Sequence, residues 1–208
     1  MFHREFGHLP RLIREAGNVE RTKVIAGHFD LIAGALHHHH GSEDHLVWPL
    51  LKKRAGAAAE KHLRLIEDQH DELAVRLEWL IEAMRKWVAD DAAACGRETA
   101  CAAESFAELL AEHMAAEEEL VVPFMEQHIS AAEWDAMVAE GAAGGDPATL
   151  PLAFGMLMYE GDYGVVERAL GNMPADARPA VRGCAADSYS QHARRVYGTA
   201  TPLRSTEL

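Results

Sequence analysis

The sequence predicts an all-α protein, an up-down-up-down four-helix bundle that carries a helical C-terminal appendage. Three observations predict it. Apolar residues recur at three- and four-residue steps through most of the chain, as in Leu63, Ile66, Leu73, Leu77, Leu80, Ile81 and Met84. Alanine is abundant and favours helix, and no β-alternation survives over more than a few residues. Glycine, asparagine and proline then cut the periodic stretches into lengths that suit a bundle with short connections.

The elements follow in order. A first short helix spans about Phe2–Ala16 and ends at Gly17-Asn18, with Pro10 expected to kink or restart it. A second covers about Val19–Arg54, bent near Gly41 and Pro49 and closed by Gly56. A third covers about Ala58–Ala89, and Asp90-Asp91 with Gly96 mark a loop before a fourth over about Glu98–Gln127. Ser130 and Glu133 have the spacing of a capping box that opens a further helix. GAAGGDPATLP at 141–151 reads as a linker. Two helices are expected beyond it, about Leu152–Leu170 and Asp176–Tyr197, separated by Gly171-Asn172-Met173-Pro174. The bundle is thus assigned to residues 1–130 and the extension to 131–208.

With 208 residues, the chain is long enough for one domain with a substantial core and an appendage. A net charge of −13 argues against nucleic acid and anionic membranes as partners. No apolar run approaches the ~20 residues that cross a bilayer. The opening MFHREFGHLPRLIREAG is amphipathic and contains acids, so it does not read as a secretory or transit peptide. Three cysteines (Cys95, Cys101 and Cys184) suit a reducing cytoplasm better than a disulfide framework, and none has metal-binding spacing. The tract His37–His40 is internal and lies in an apolar-periodic segment, so it belongs to the fold.

One motif occurs twice. HHGSEDHLVWPLL at 39–51 and HMAAEEELVVPFM at 113–125 align His39 with His113, Glu43 with Glu117 and Pro49 with Pro123. Residues four apart share one face of a helix, so each copy presents an imidazole beside a carboxylate. Apolar neighbours, Leu36, Val47 and Leu50 in one and Leu109, Leu110, Leu120 and Val121 in the other, turn these faces inward. A carboxylate there is costly unless it is paired or metal-bound. His70 shares the apolar stripe of the third helix with Ile66, Leu73 and Leu77, and His62 is the weaker alternative. On the first helix, His3 lies about 90° and His8 about 130° from the stripe of Phe2, Phe6, Leu9 and Ile13. His3 is favoured, with His8 as alternative. His28 precedes His39 by eleven residues, about 16 Å along the axis, too far to share its metal; packing is the favoured role. His37, His38 and His40 are expected to face elsewhere, although His40 with Asp44 forms a rival register. Asp44 and Glu118 are candidate acids for orienting the imidazoles. The tyrosines Tyr159, Tyr189, Tyr197 and Tyr163 all fall in the appendage. Five or six N and O ligands on facing helices suit a pair of iron ions, with manganese as alternative and zinc less suited.

These residues resemble the hemerythrin-like, or HHE cation-binding, domain. The resemblance rests on His39-x-x-x-Glu43 with Asp44 and Pro49, on His70, and on His113-x-x-x-Glu117 with Glu118 and Pro123. REFGHLPRLI and HISAAEWDAM also look like actinobacterial members with a helical C-terminal extension. The resemblance implies a non-haem di-iron centre, oxo- or carboxylate-bridged, inside the bundle. By it, His39, His70 and His113 would be terminal ligands and Glu43 and Glu117 bridging ones. There are departures. Oxygen-carrying hemerythrins have a second histidine one turn after the third-helix ligand, where this chain has Ala74. They end with a His and an Asp five apart, where this chain has His113 and Glu117. The first-helix histidine of the extended members falls before or near Met1. These departures argue for a reactive or sensory site over a pure oxygen carrier.

The expected function is therefore a cytoplasmic non-haem di-iron protein that binds or senses O2 or nitric oxide. A peroxide-disproportionating, catalase-like enzyme at the same centre is the alternative. A non-catalytic, metal-stabilised interaction module is a third reading. Its motivation is the apolar content of the 150–200 segment, which would cover a partner or form a homodimer through the C-terminal helices.

Overall fold

A computed structural model describes residues 1–90, 93–143, 148–171 and 178–207. The described residues are helical almost throughout and contain no strand. In chain order the helices are α1 (Phe2–Arg14), α2 (Val19–Ser42), a π-helical turn (Glu43–Val47), α3 (Trp48–Ala55), α4 (Ala57–Asp90), α5 (Ala93–Leu120), α6 (Val122–His128), α7 (Ala131–Ala143), α8 (Leu150–Glu160), α9 (Tyr163–Gly171) and α10 (Arg178–Tyr197), followed by a 3-10 turn (Ser205–Glu207). None is long and apolar enough to cross a membrane. The chain forms two compact units, one of His8–Gly144 and one of Met1–Gly7 with Gly145–Leu208.

In the first unit α4 and α5 pack along each other, and α2 and α3 pack on α4, with the π turn joining them. Asn18 starts α2 by accepting the Arg21 N–H on its side-chain oxygen at 2.9 Å. Gly56 separates α3 from α4 with φ of 57°, a left-handed turn that favours glycine. Around the turns that follow Glu43 and Glu117, Val47, Trp48, Leu51, Leu63, Ile66 and Val121 form a buried apolar cluster. Each large side chain there contributes about 1.5–3 kcal/mol by burial. The capping box holds as expected. The Ser130 N–H donates to Glu133 Oε2 at 3.0 Å, and the Glu133 N–H donates to Ser130 Oγ at 3.4 Å. Arg54 clamps the same glutamate at 2.5 and 3.0 Å. That pairing, with the Ser130 bonds, holds the Glu133 carboxyl well below the usual range.

Several expected boundaries moved, each for a local reason. α1 runs unbroken through Pro10. α5 begins at Ala93 and includes Gly96, because a Cβ at 96 would sit 3.1 Å from Trp87 Nε1; the glycine serves close helix packing there and ends nothing. Asp91 lies outside the described residues, as do parts of the 141–151 and 171–174 segments. The single helix expected over Leu152–Leu170 is two. Gly161 turns extended, and Asp162 accepts the N–H groups of Gly164 and Val165 at 2.8 and 3.1 Å, starting a new helix.

In the second unit α8 packs on α10, and Gly155 permits the approach, since a Cβ there would collide with the Ala185 carbonyl. Arg4 and Glu5 are fully buried and paired. The Arg4 guanidinium also reaches Glu160 at 3.0 Å and lies over the rings of Tyr159 and Tyr189 at 4.9 and 5.2 Å. The Tyr197 hydroxyl donates to Glu5. A buried ion pair is tolerable only when its remaining valences are met, and these tyrosines and Glu160 meet them.

Candidate metal centre

The site lies wholly within the His8–Gly144 unit. α2 supplies His39 and His40, and the π turn supplies Glu43 and Asp44. α4 supplies Gln69 and His70, and α5 supplies His113 and Glu117. The imidazole and carboxylate atoms that could hold a metal fall into two groups, His39 with Glu43 and Glu117, and His40 with His70 and His113. Within each group the three atoms lie no more than 4.8 Å apart.

Local backbone chemistry explains the turns that carry the acids. The Trp48 N–H donates to the Glu43 carbonyl, five residues back, which is π spacing. Pro49 has no N–H to offer the His45 carbonyl, so the α pattern cannot simply continue. Pro123 acts likewise after the second motif, where α5 stops at Leu120 and α6 restarts at Val122. Single-turn π insertions are rare and frequently mark functional sites.

Glu43 joins the two groups. Its Oε1 lies 3.4 Å from His39 Nε2, and its Oε2 lies 3.7 Å from His70 Nε2. Glu117 Oε2 lies 3.9 Å from His113 Nε2. The His40 ring stacks on His70 at 4.1 Å between centroids and meets His113 edge-on at 5.0 Å; His70 meets His113 at 4.9 Å. Behind the rings, His70 Nδ1 is 3.0 Å from Asp44 Oδ1, and His113 Nδ1 is 3.2 Å from Gln69 Oε1. A carboxylate or amide oxygen can only accept here, so both Nδ1 atoms carry the proton. In the neutral ring that tautomer leaves the Nε2 lone pair directed at the group.

Burial sets the charge states. Burial first, then the neighbouring imidazoles, pushes His113 down to about 4 and His40 down to about 2, so both are neutral at pH 7. Burial, then the facing Glu117 carboxylate, raises Glu43 to about 10. Burial raises Glu117 as well. Without a cation the two acids therefore hold on to a proton.

A metal fits these residues. Glu43 Oε2, His70 Nε2 and His113 Nε2 are buried and have no hydrogen-bond partner among the described residues. Each such orphan costs about 1–3 kcal/mol. A cation among them would satisfy all three at once.

Of the residues expected from sequence, His39, Glu43, His70, His113 and Glu117 are brought together. His3 is exposed on α1 and His8 is buried; neither belongs to the two candidate groups. His62 packs near Phe124 at 5.8 Å between rings, and His28 is buried in α2 outside both groups. Asp44 does orient His70, but Glu118 is exposed, and Gln69 holds His113 instead. His40, expected to face elsewhere, is half-buried against His70 and His113.

Fold and site together define an all-helical bundle with a metal-binding His/Glu core. The family model of the hemerythrin HHE cation-binding domain matches residues 2–125, more than half of the chain, and the chain belongs to that family. No curated protein and no solved structure matches it.

Proposed function

We propose that this is a non-haem di-iron protein that binds or senses O2 or nitric oxide at the core of the bundle. The observation that carries the reading is the Glu43 carboxylate, which presents one oxygen to each ligand group. A carboxylate so placed would be able to hold an ion at each group. His39, Glu43, His70, His113 and Glu117 would hold the metal. Mixed imidazole and carboxylate donors suit iron, with manganese as the alternative occupant. A ferrous pair held there would supply reversible redox chemistry and positions at which a diatomic molecule can bind. The protein's part is to orient and to exclude water. Asp44 and Gln69 fix the ring tautomers, while Trp48, Leu63 and Ile66 keep the floor dry. The test is anaerobic loading with two equivalents of ferrous iron followed by air or nitric oxide. Near-ultraviolet ferric charge-transfer bands, or the visible bands of an iron nitrosyl, support the reading. Protein that takes up no iron defeats it.

A second reading is peroxide disproportionation, favoured by Ala74, which offers no imidazole one turn after His70. Oxygen evolution from hydrogen peroxide, lost in Glu43→Ala, supports it. A rate no higher than that of free iron removes it.

A further inference from the structure

The doubled motif accounts for one histidine of α2, yet two reach the site. At 100° per residue, the buried Ile25, Phe29, Ile32 and Leu36 place the inward line of α2 midway between His39 and His40, about 50° from each. Both imidazoles therefore straddle the core-facing side. Immediately afterwards the π turn inserts its extra residue, and the buried set continues as Val47, Trp48 and Leu51. The helix thus changes its inward face at the site itself, and His39 and His40 are separated into different ligand groups.

We propose that His40 is a direct metal ligand. It completes an all-imidazole half of the dinuclear centre with His70 and His113. This rests on the dinuclear reading above. Its ring has the place for the role: 4.1 Å from His70, 5.0 Å from His113, with its donor atom within 4.8 Å of theirs. The two halves then differ in kind. One is imidazole-rich, and the other is carboxylate-rich, with His39, Glu43 and Glu117.

Cobalt(II) is the probe. Metal-free full-length protein is titrated with it and followed by its visible bands, with X-ray absorption counting imidazole nitrogens per ion. Wild type is expected to bind two ions, one bearing three imidazoles. His40→Ala and the size-matched His40→Gln should keep one ion and weaken the other at least about tenfold, since even indirect orienting partners cost that much. His37→Ala and His38→Ala, from exposed positions of the same tract, should change neither ion, which separates the site from loose chelation by the tract. Two ions bound at wild-type strength by both His40 variants, or no ion with three imidazoles in wild type, overturns this inference and leaves the dinuclear reading intact. Wild type binding fewer than two ions overturns that reading, and this inference with it.

Discussion

Glu43→Gln should stabilise the metal-free protein while abolishing its metal binding. The Glu43 side chain is only 9% exposed, faces Glu117, and has its carboxyl raised from 4.5 to about 10. At pH 7.5 the folded metal-free protein keeps a proton there that the unfolded chain releases. Three pH units at about 1.4 kcal/mol each make this cost about 4 kcal/mol, an upper limit because the proton is held jointly with Glu117. The sign follows from proton counting. Between pH 4.5 and 10 the folded state binds more protons than the unfolded state, so this group's contribution to stability falls as pH rises. Glutamine mimics the protonated acid and never pays the cost. Urea unfolding of metal-free wild type and variant should therefore show a gain of about 2–4 kcal/mol at pH 7.5. The gain should shrink below about 1 kcal/mol at pH 5, where glutamate is protonated cheaply in both states. The difference between the two proteins cancels the histidines, which titrate in both. A gain that does not depend on pH, or a loss at pH 7.5, would refute the reasoning. So would a variant that still binds two ions.

Other outcomes follow from the same geometry. Asp44→Asn removes the charged acceptor 3.0 Å from His70 Nδ1 and should weaken metal binding about 10- to 100-fold without unfolding the bundle, read by competition with a chelator. Gln69→Leu should weaken it too, because the His113 Nδ1–H loses its acceptor at 3.2 Å. Removing metal should lower the melting temperature, and metal at 100 times its dissociation constant should restore about 2.7 kcal/mol. Gly155→Ala should destabilise the C-terminal unit by about 1–3 kcal/mol through the clash with the Ala185 carbonyl, read by hydrogen exchange in α8 and α10, with metal binding unchanged.

Much of this was legible in the sequence because helices report their faces through spacing. Four-residue spacing put His39 beside Glu43 and His113 beside Glu117, and a lone apolar stripe brought in His70. The exact turns were harder. A π insertion depends on which carbonyl finds a donor, and only Pro49 hinted at it. His40 was hidden by the same step, since four-residue matching to the second motif chose His39 and left its neighbour aside, although the upstream buried positions favour both equally. Gln69 carried no signal of its own; its partner is on another helix. Gly161-Asp162 was readable as a stop followed by a cap, but apolar periodicity on both sides concealed it. Gly96 misled in the other direction, because a glycine chosen for packing against Trp87 looks like a turn residue in one dimension.

The central claim is that the Glu43 carboxylate joins two ions held between α2, α4 and α5. Anomalous scattering at the iron edge, from crystals of protein loaded with ferrous iron, tests it most directly. Two peaks about 3.5–4 Å apart, flanking Glu43 and within bonding distance of His39 on one side and His70 and His113 on the other, are predicted. A single peak, or iron held only at the exposed His37 and His38, would contradict the account.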